Sequence, residues 1–221
     1  MSALKDRLAS GPALLGLWQA LANGYTAEIC ARAGYDWLLF DAEHAPNTAQ
    51  TLLAQLQAVS SFPVEAVIRV PSGDPVSIKH ALDLGCTTLL VPMVDTAEQA
   101  AAIVAACRYP PEGIRGVASA TARATGFGTD AAYLREAASR ITLIVQIESS
   151  AALANIDAIA ATPGIDALFI GPADLAASLG HLGNPAHPDV QAAIVHAKQR
   201  IDAAGKPAGI FALSAQDARQ R

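Results

Sequence analysis

Hydrophobic positions along the chain fall into two alternating patterns. Seven short runs are almost continuously apolar: Leu14–Gln19, Trp37–Asp41, Ala66–Val70, Thr88–Val94, Ile141–Glu148, Ala167–Gly171 and Pro207–Leu213. Strands covered on both faces read this way, because neither face is left to water. Between them lie longer Ala-rich stretches of helical period, Thr48–Val59, Pro75–Leu84, Thr96–Cys107, Ala151–Ala161 and Pro188–Ala203, with Thr48, Asp74 and Asp95 placed to cap them. Gly34, Gly85, Gly164 and Gly205 fall between a helix and the next strand, where a left-handed residue closes the helix without a Cβ penalty. The alternation predicts βα units around a parallel sheet; seven can be counted, the last incomplete.

The architecture that fits is α/β, a TIM-type (β/α)8 barrel. It needs one more strand and helix than the sequence offers after Leu213, since Ser214–Arg221 only begins a helix. The expectation is a single domain over residues 1–221 that lacks the last strand and helix of the barrel, or an open relative of it. The longest connection, Tyr109–Asp130, is rich in Gly, Pro and Arg and is expected as a loop over the active-site mouth.

Composition narrows the partners. A 52% hydrophobic content over 221 residues can bury one sizeable core. A net charge of -5 without any Lys/Arg cluster offers no footprint for a nucleic-acid backbone. Lys5, Asp6 and Arg7 stand where a signal peptide needs an apolar core, and no uncharged apolar run reaches membrane-spanning length. A cytoplasmic protein with small-molecule partners is expected. Cys30, Cys86 and Cys107 are odd in number, lack metal-type spacing and sit in apolar surroundings, so each reads as a buried thiol.

Polar residues gather at the C-terminal ends of the apolar runs: Asp41-Ala42-Glu43-His44, Arg69, Gln146-Ile147-Glu148 and Gly171-Pro172-Ala173-Asp174. In a parallel barrel these ends open on one face, which makes a convergent cavity; simple solvation of strand-end charges is the alternative. Glu148 and Asp174 end consecutive strands and offer hard oxygens suited to Mg²⁺, Mn²⁺ or Co²⁺, against the plainer reading of two exposed or Arg-paired acids. His44 is the histidine that a strand carries to this face, and an imidazole moves protons near neutral pH. His80, His181, His187 and His196 lie on helices or loops and read as surface or packing residues. Arg69 can hold a carboxylate or stabilise an enolate oxygen, or it can be a structural ion pair with Asp41 or Glu43. No lysine projects from a strand end, so a Schiff base has no candidate, and neither a Gly-x-Ser-x-Gly elbow nor a Gly-x-Gly-x-x-Gly fingerprint occurs.

Four long motifs carry a resemblance: Gly34-Tyr-Asp-Trp-Leu-Leu-Phe-Asp-Ala-Glu-His-Ala-Pro-Asn47, Thr88-Leu-Leu-Val-Pro-Met-Val94, Arg108-Tyr-Pro-Pro-Glu-Gly-Ile-Arg-Gly-Val117 and Phe169-Ile-Gly-Pro-Ala-Asp-Leu175. In this order they closely resemble the HpcH/HpaI aldolase family, over essentially the whole chain. The family's class II pyruvate aldolases include 4-hydroxy-2-oxoheptanedioate and 2-keto-3-deoxy sugar-acid aldolases. The resemblance implies reversible aldol cleavage and addition between pyruvate, or a close 2-oxoacid, and an aldehyde, with a divalent metal ion held by Glu148 and Asp174. It further implies His44 as proton acceptor, Asp83 as the acid that raises its basicity, and Arg69 as the arginine stabilising the transition state. Gln146, Gly171, Pro172 and Ala173 are implied as pyruvate contacts, Arg123 as a further substrate contact, and a homo-oligomer, trimer or hexamer, as the assembly. The chain departs from a common family pattern at Thr121-Ala-Arg-Ala-Thr-Gly126, where Arg123 is kept and Gly126 replaces a second arginine, and at Ala42, usually glycine. A citrate-lyase-like or malyl-CoA-lyase-like reaction is the alternative within enzymes; a catalytically silent 2-oxoacid-binding protein is the alternative outside them.

Overall fold

The computed structural model describes residues 4–9 and 11–220. In chain order the elements are α1 (Leu4–Ala9), β1 (Gly16–Gln19), α2 (Gly24–Ala31), β2 (Trp37–Asp41), α3 (Ala49–Val59), β3 (Glu65–Arg69), α4 (Pro75–Asp83), β4 (Thr88–Val91), α5 (Ala97–Cys107), a 3-10 turn (Arg123–Thr125), α6 (Tyr133–Arg140), β5 (Thr142–Ile147), α7 (Ser150–Ala154), α8 (Ile156–Ala161), β6 (Ala167–Ile170), α9 (Pro172–Ser178), α10 (Pro188–Ala203), β7 (Ala208–Ile210) and α11 (Ala215–Gln220). The fold is α/β, with a seven-stranded sheet in the order β1-β2-β3-β4-β5-β6-β7. All seven expected strands form, and no eighth follows β7 among the described residues.

Two compact units make up the chain: Met1–Val91 with Ile103–Leu143, and Pro92–Ala102 with Ile144–Arg221. In the first, β1 to β4 form a parallel ladder in which Trp37 lies opposite Gly16 and Asp41 opposite Arg69. Gly16 is required there by close approach: a Cβ would lie 2.0 Å from the Trp37 ring. Leu38, Leu39, Phe40, Ile68, Leu89 and Leu90 are almost wholly buried, as their unbroken apolar runs predict for strands covered on both sides. Helix α3 starts on a reciprocal capping box between Thr48 and Thr51, and α4 on the Asp74 side chain with Pro75 in its first turn. The expected connection Tyr109–Asp130 folds back on α5, with Ile114 N–H on the Ala105 carbonyl and Arg115 N–H on that of Arg108.

In the second unit, β5, β6 and β7 pair in parallel, Gln146 opposite Phe169 and Ile170 opposite Ile210. The stretch Ala151–Ala161, expected as one helix, is two, broken at Asn155. Asp95 does not cap α5; Thr96 does, its hydroxyl accepting from Gln99 N–H while the Gln99 side chain accepts from Thr96 N–H. The four glycines expected at helix ends all adopt positive φ, from 67° at Gly205 to 102° at Gly164. Cys86 and Cys107 are buried as expected whereas Cys30 is half-exposed, and all three are free thiols; burial pushes the Cys86 thiol up to about 12. No helix among the described residues is long and apolar enough to cross a membrane.

Candidate active site

The first unit assembles its polar group at the ends of β1, β2 and β3. Residues in register on neighbouring parallel strands point the same way, so Asp41 and Arg69 meet. The Arg69 Nε and Nη2 donate to the two Asp41 carboxylate oxygens at 2.8 and 2.5 Å, a bidentate fork, and Nη1 lies 2.9 Å from Glu43 Oε2. The Trp18 ring stacks on the guanidinium, 5.0 Å from its centroid, and Trp18 Nε1 donates to Asp41 Oδ2 at 3.2 Å. Asp41 Oδ1 also accepts from the backbone N–H groups of Glu43 and His44, at 3.0 and 3.3 Å, which turns the chain after β2 and brings the His44 ring to the surface. The His44 Nε2 is 3.7 Å from Glu43 Oε2.

Burial pushes the Asp41 carboxyl up, but the Arg69 guanidinium and the two backbone donors outweigh it and hold the carboxyl below its ordinary range. A depressed carboxyl pKa contributes stability that is present above the unfolded value, about 3.9, and is lost as pH falls through the folded value. Asp41→Asn is therefore expected to lower stability at neutral pH by about 3–5 kcal/mol, the cost of removing one partner of a buried pair, with the gap to the parent closing below roughly pH 4. Thermal unfolding as a function of pH checks this; a gap independent of pH would refute the ionisation argument.

The second unit builds its group where β5 and β6 end. Glu148 is only 3% exposed. Its Oε1 accepts from Met93 N–H at 2.8 Å and its Oε2 from the Gln146 side-chain amide at 2.6 Å, and neither donor carries charge. Gly171, the N-cap of α9, closes against it: a Cβ there would lie 2.2 Å from Glu148 Oε2 and 2.9 Å from Glu148 Cβ. Asp174 lies in the first turn of α9 and is exposed, so the helix that touches one carboxylate carries the other one turn further on. With Pro172 at its start and no side-chain cap, α9 leaves backbone N–H groups of its first turn, including that of Ala173, without a capping partner.

Asp83 and Arg123 lie elsewhere. Arg115 is wholly buried, donates to Asp83 Oδ1 at 2.8 Å and to the Tyr133 hydroxyl at 3.2 Å, and stacks on Tyr109. Arg123 Nη1 donates to the Leu84 carbonyl at 2.8 Å, beside Gly85. Both contacts sit at the C-terminal end of α4, which feeds the start of β4, whereas His44 and Arg69 follow or close strands. The connection Tyr109–Asp130 thus buttresses a helix end through these two arginines. Within the first unit the structure brings together Asp41, Glu43, His44 and Arg69 and does not bring Asp83 or Arg123 to His44; within the second it brings together Gln146, Glu148 and Gly171.

His181, His187 and Asp189 form a further cluster of metal-type side chains. The two rings stack 3.6 Å apart at 15°, and parallel planes cannot aim two in-plane lone pairs at one ion. The His187 Nδ1 already accepts from Asp189 N–H as the cap of α10. The cluster serves the start of that helix.

Residues 14–220 match the sequence model of the family described as HpcH/HpaI aldolase/citrate lyase. The chain belongs to this family. This HpcH/HpaI family member is 55% identical over 216 residues to a hydroxypyruvate/pyruvate aldolase of Pseudomonas aeruginosa, covering 98% of the chain and 81% of that protein. It is 53% identical to a 4-hydroxy-2-oxo-heptane-1,7-dioate aldolase of Salmonella dublin, covering 95% of the chain and 80% of the relative. A crystal structure of a family member from Burkholderia cenocepacia superimposes with a TM-score of 0.95 at 46% identity, covering 98% of the chain and 87% of that structure.

HpcH/HpaI aldolases generally depend on a divalent metal ion. The residues present fit one: Glu148 and Asp174 offer hard oxygens, and the glycine against Glu148 leaves room at its carboxylate that any Cβ would fill. Reading the sequence did not single out Trp18 or the Met93 peptide. Trp18 could have been found as a large aromatic near the end of an apolar run. The Met93 contribution comes from backbone, at a positive φ of 55° that a methionine does not announce and that costs on the order of 1 kcal/mol or more.

Proposed function

We propose that this protein is a class II aldolase that reversibly joins pyruvate, or a close 2-oxoacid, to an aldehyde. The observation that carries the reading is Glu148: a buried carboxylate at the end of β5 that accepts from the Met93 N–H and the Gln146 amide and lies against the helix that bears Asp174. Glu148 and Asp174 hold the divalent ion, Mg²⁺, Mn²⁺ or Co²⁺. When bound, that ion supplies a Lewis acid for the negative charge that carbon–carbon cleavage leaves on the 2-oxo oxygen. The Gln146 amide and the Ala173 N–H in the first turn of α9 orient the pyruvate part, with Gly171 and Pro172 lining its approach. Arg69, fixed in direction by its fork to Asp41, adds positive charge toward the same oxygen. His44 takes the hydroxyl proton of the aldol in cleavage and returns it in synthesis.

Asp83 supports His44 and Arg123 contacts the aldehyde part in this reading. Because both face the C-terminal end of α4 in their own chain, these roles require a second copy, in keeping with a trimer or hexamer. Exposed Leu21, Tyr25 and Ile29 on and beside α2 form the kind of apolar surface that self-association covers. The sequential parallel order of seven strands supports a TIM-type (β/α)8 scaffold, and a cytoplasmic setting suits the substrates.

The test is calorimetry with pyruvate, with and without Mg²⁺ or Mn²⁺, followed by an aldol assay against a panel of aldehydes. Metal-dependent pyruvate binding with turnover on at least one aldehyde is expected. Binding without turnover would favour a silent 2-oxoacid-binding protein, and activity on CoA thioesters alone would favour a citrate-lyase-like reaction.

A further inference from the structure

The connection between β4 and α5 is built to deliver one peptide N–H to Glu148. Met93 holds φ of 55° while its side chain is half exposed, so nothing in the side chain accounts for the conformation. What the conformation achieves is the 2.8 Å hydrogen bond from Met93 N–H to Glu148 Oε1. Two residues later the connection is fastened on every side. The Asp95 carboxylate accepts from the Ser149 hydroxyl, the Asp95 carbonyl accepts from the Asn155 side chain at 2.8 Å, and Asp95 N–H donates to the Gln99 side chain at 2.7 Å. Ser149 directly follows Glu148 and caps α7, accepting from Ala152 N–H at 2.9 Å. One short network therefore ties the residue after Glu148 to the loop that grips the Glu148 carboxylate.

We propose that Asp95, Ser149 and Asn155 form a positioning clamp that holds the Met93 peptide in its left-handed conformation and so sets the orientation of the Glu148 carboxylate for a divalent ion. None of the three touches the ion or the substrate; they act through Met93 and Glu148. The Met93 N–H on Oε1 and the Gln146 amide on Oε2 fix the direction of the carboxylate, and a carboxylate oxygen can accept more than one partner, so the clamp orients the ligand without consuming it. Groups that orient a metal ligand in this way typically change metal affinity 10- to 100-fold when removed.

The inference rests on Glu148 being a metal ligand, and the experiment separates the two. Mn²⁺ titration of the metal-free protein by calorimetry, with a thermal melt in chelator to confirm folding, is run on the parent, Glu148→Gln, Asp95→Ala, Asn155→Ala and Met93→Gly. Glu148→Gln is expected to abolish most Mn²⁺ affinity; unaltered binding there would remove the metal-ligand reading itself. Asp95→Ala is expected to weaken binding roughly 10- to 100-fold with the fold retained. Asn155→Ala, which loses only the bond to the Asp95 carbonyl, serves where Asp95→Ala does not fold, and is expected to weaken binding in the same direction. Met93→Gly keeps the peptide N–H and adopts positive φ freely, so it is expected to bind Mn²⁺ as well as the parent, a result that a role for the Met93 side chain would forbid. Parent-like affinity in the folded clamp variants, while Glu148→Gln loses it, would overturn the clamp, as would a loss of affinity in Met93→Gly.

Discussion

Replacing His44 with alanine is expected to slow aldol cleavage by about 10²- to 10⁴-fold, the usual contribution of a positioned general base, while leaving divalent-metal affinity close to that of the parent. The separation follows from where the residue sits. His44 stands on the turn after β2, held through its backbone N–H by Asp41, and its ring is exposed. Removing that ring leaves the Asp41–Arg69 fork and its backbone donors in place, so the variant should fold. The hydrogen bonds that Glu148 accepts from Met93 and Gln146 do not involve His44. The measurement is kcat for cleavage beside Mn²⁺ affinity by calorimetry. An unchanged kcat would remove His44 from the reaction, and a parallel loss of Mn²⁺ affinity would place it among the groups that hold the ion.

Gly171→Ala is expected to be nearly as damaging, by a different route. The backbone at Gly171 has φ of -101° and ψ of 93°, which alanine can adopt, so conformational strain is not the cause. The cause is space: the new methyl would fall 2.2 Å from Glu148 Oε2, and Glu148 is buried with its other oxygen held by a backbone N–H. The carboxylate must move, break its bond with the Gln146 amide, or displace α9. Overpacking of this kind costs about 1–3 kcal/mol, and the displaced ligand should lower metal affinity at least 10- to 100-fold. Gly209→Ala is the control. There a Cβ would meet the Phe169 ring at 2.4 Å, which should reduce stability without a comparable effect on Mn²⁺ binding. Equal Mn²⁺ affinity in Gly171→Ala and the parent would mean that this carboxylate is not where the ion sits.

Much of the scaffold can be read from the chain. The run Trp37–Asp41 and the stretch Pro188–Ala203 have the observed bounds of β2 and α10, and the four glycines at helix ends take the left-handed conformation expected of them. Both depend on local chemistry: continuous burial demands an unbroken apolar run, and positive φ without a Cβ demands glycine. Short helices escape such reading. The segments of α2 and α9 are eight and seven residues long, and Gly171-Pro172 resembles a turn until the helix it opens is seen. The break at Asn155 escapes as well, because Ala-rich sequence supports one helix as readily as two.

By itself the sequence determined the α/β class, the order of strands and helices, and the residue types carried to the strand ends: Asp41, Glu43, His44, Arg69, Gln146, Glu148 and Asp174. It left open whether Arg69 pairs with Asp41, whether Asp83 meets His44 within one chain, and what holds Glu148. Tertiary structure decided these. Register between β2 and β3 puts Arg69 on Asp41, the antiparallel run of α4 carries Asp83 to Arg115, and a backbone N–H from Met93 reaches Glu148. The physical reason is that periodicity reports which positions are buried, whereas partners depend on strand register, helix direction and peptide groups that every residue type carries alike.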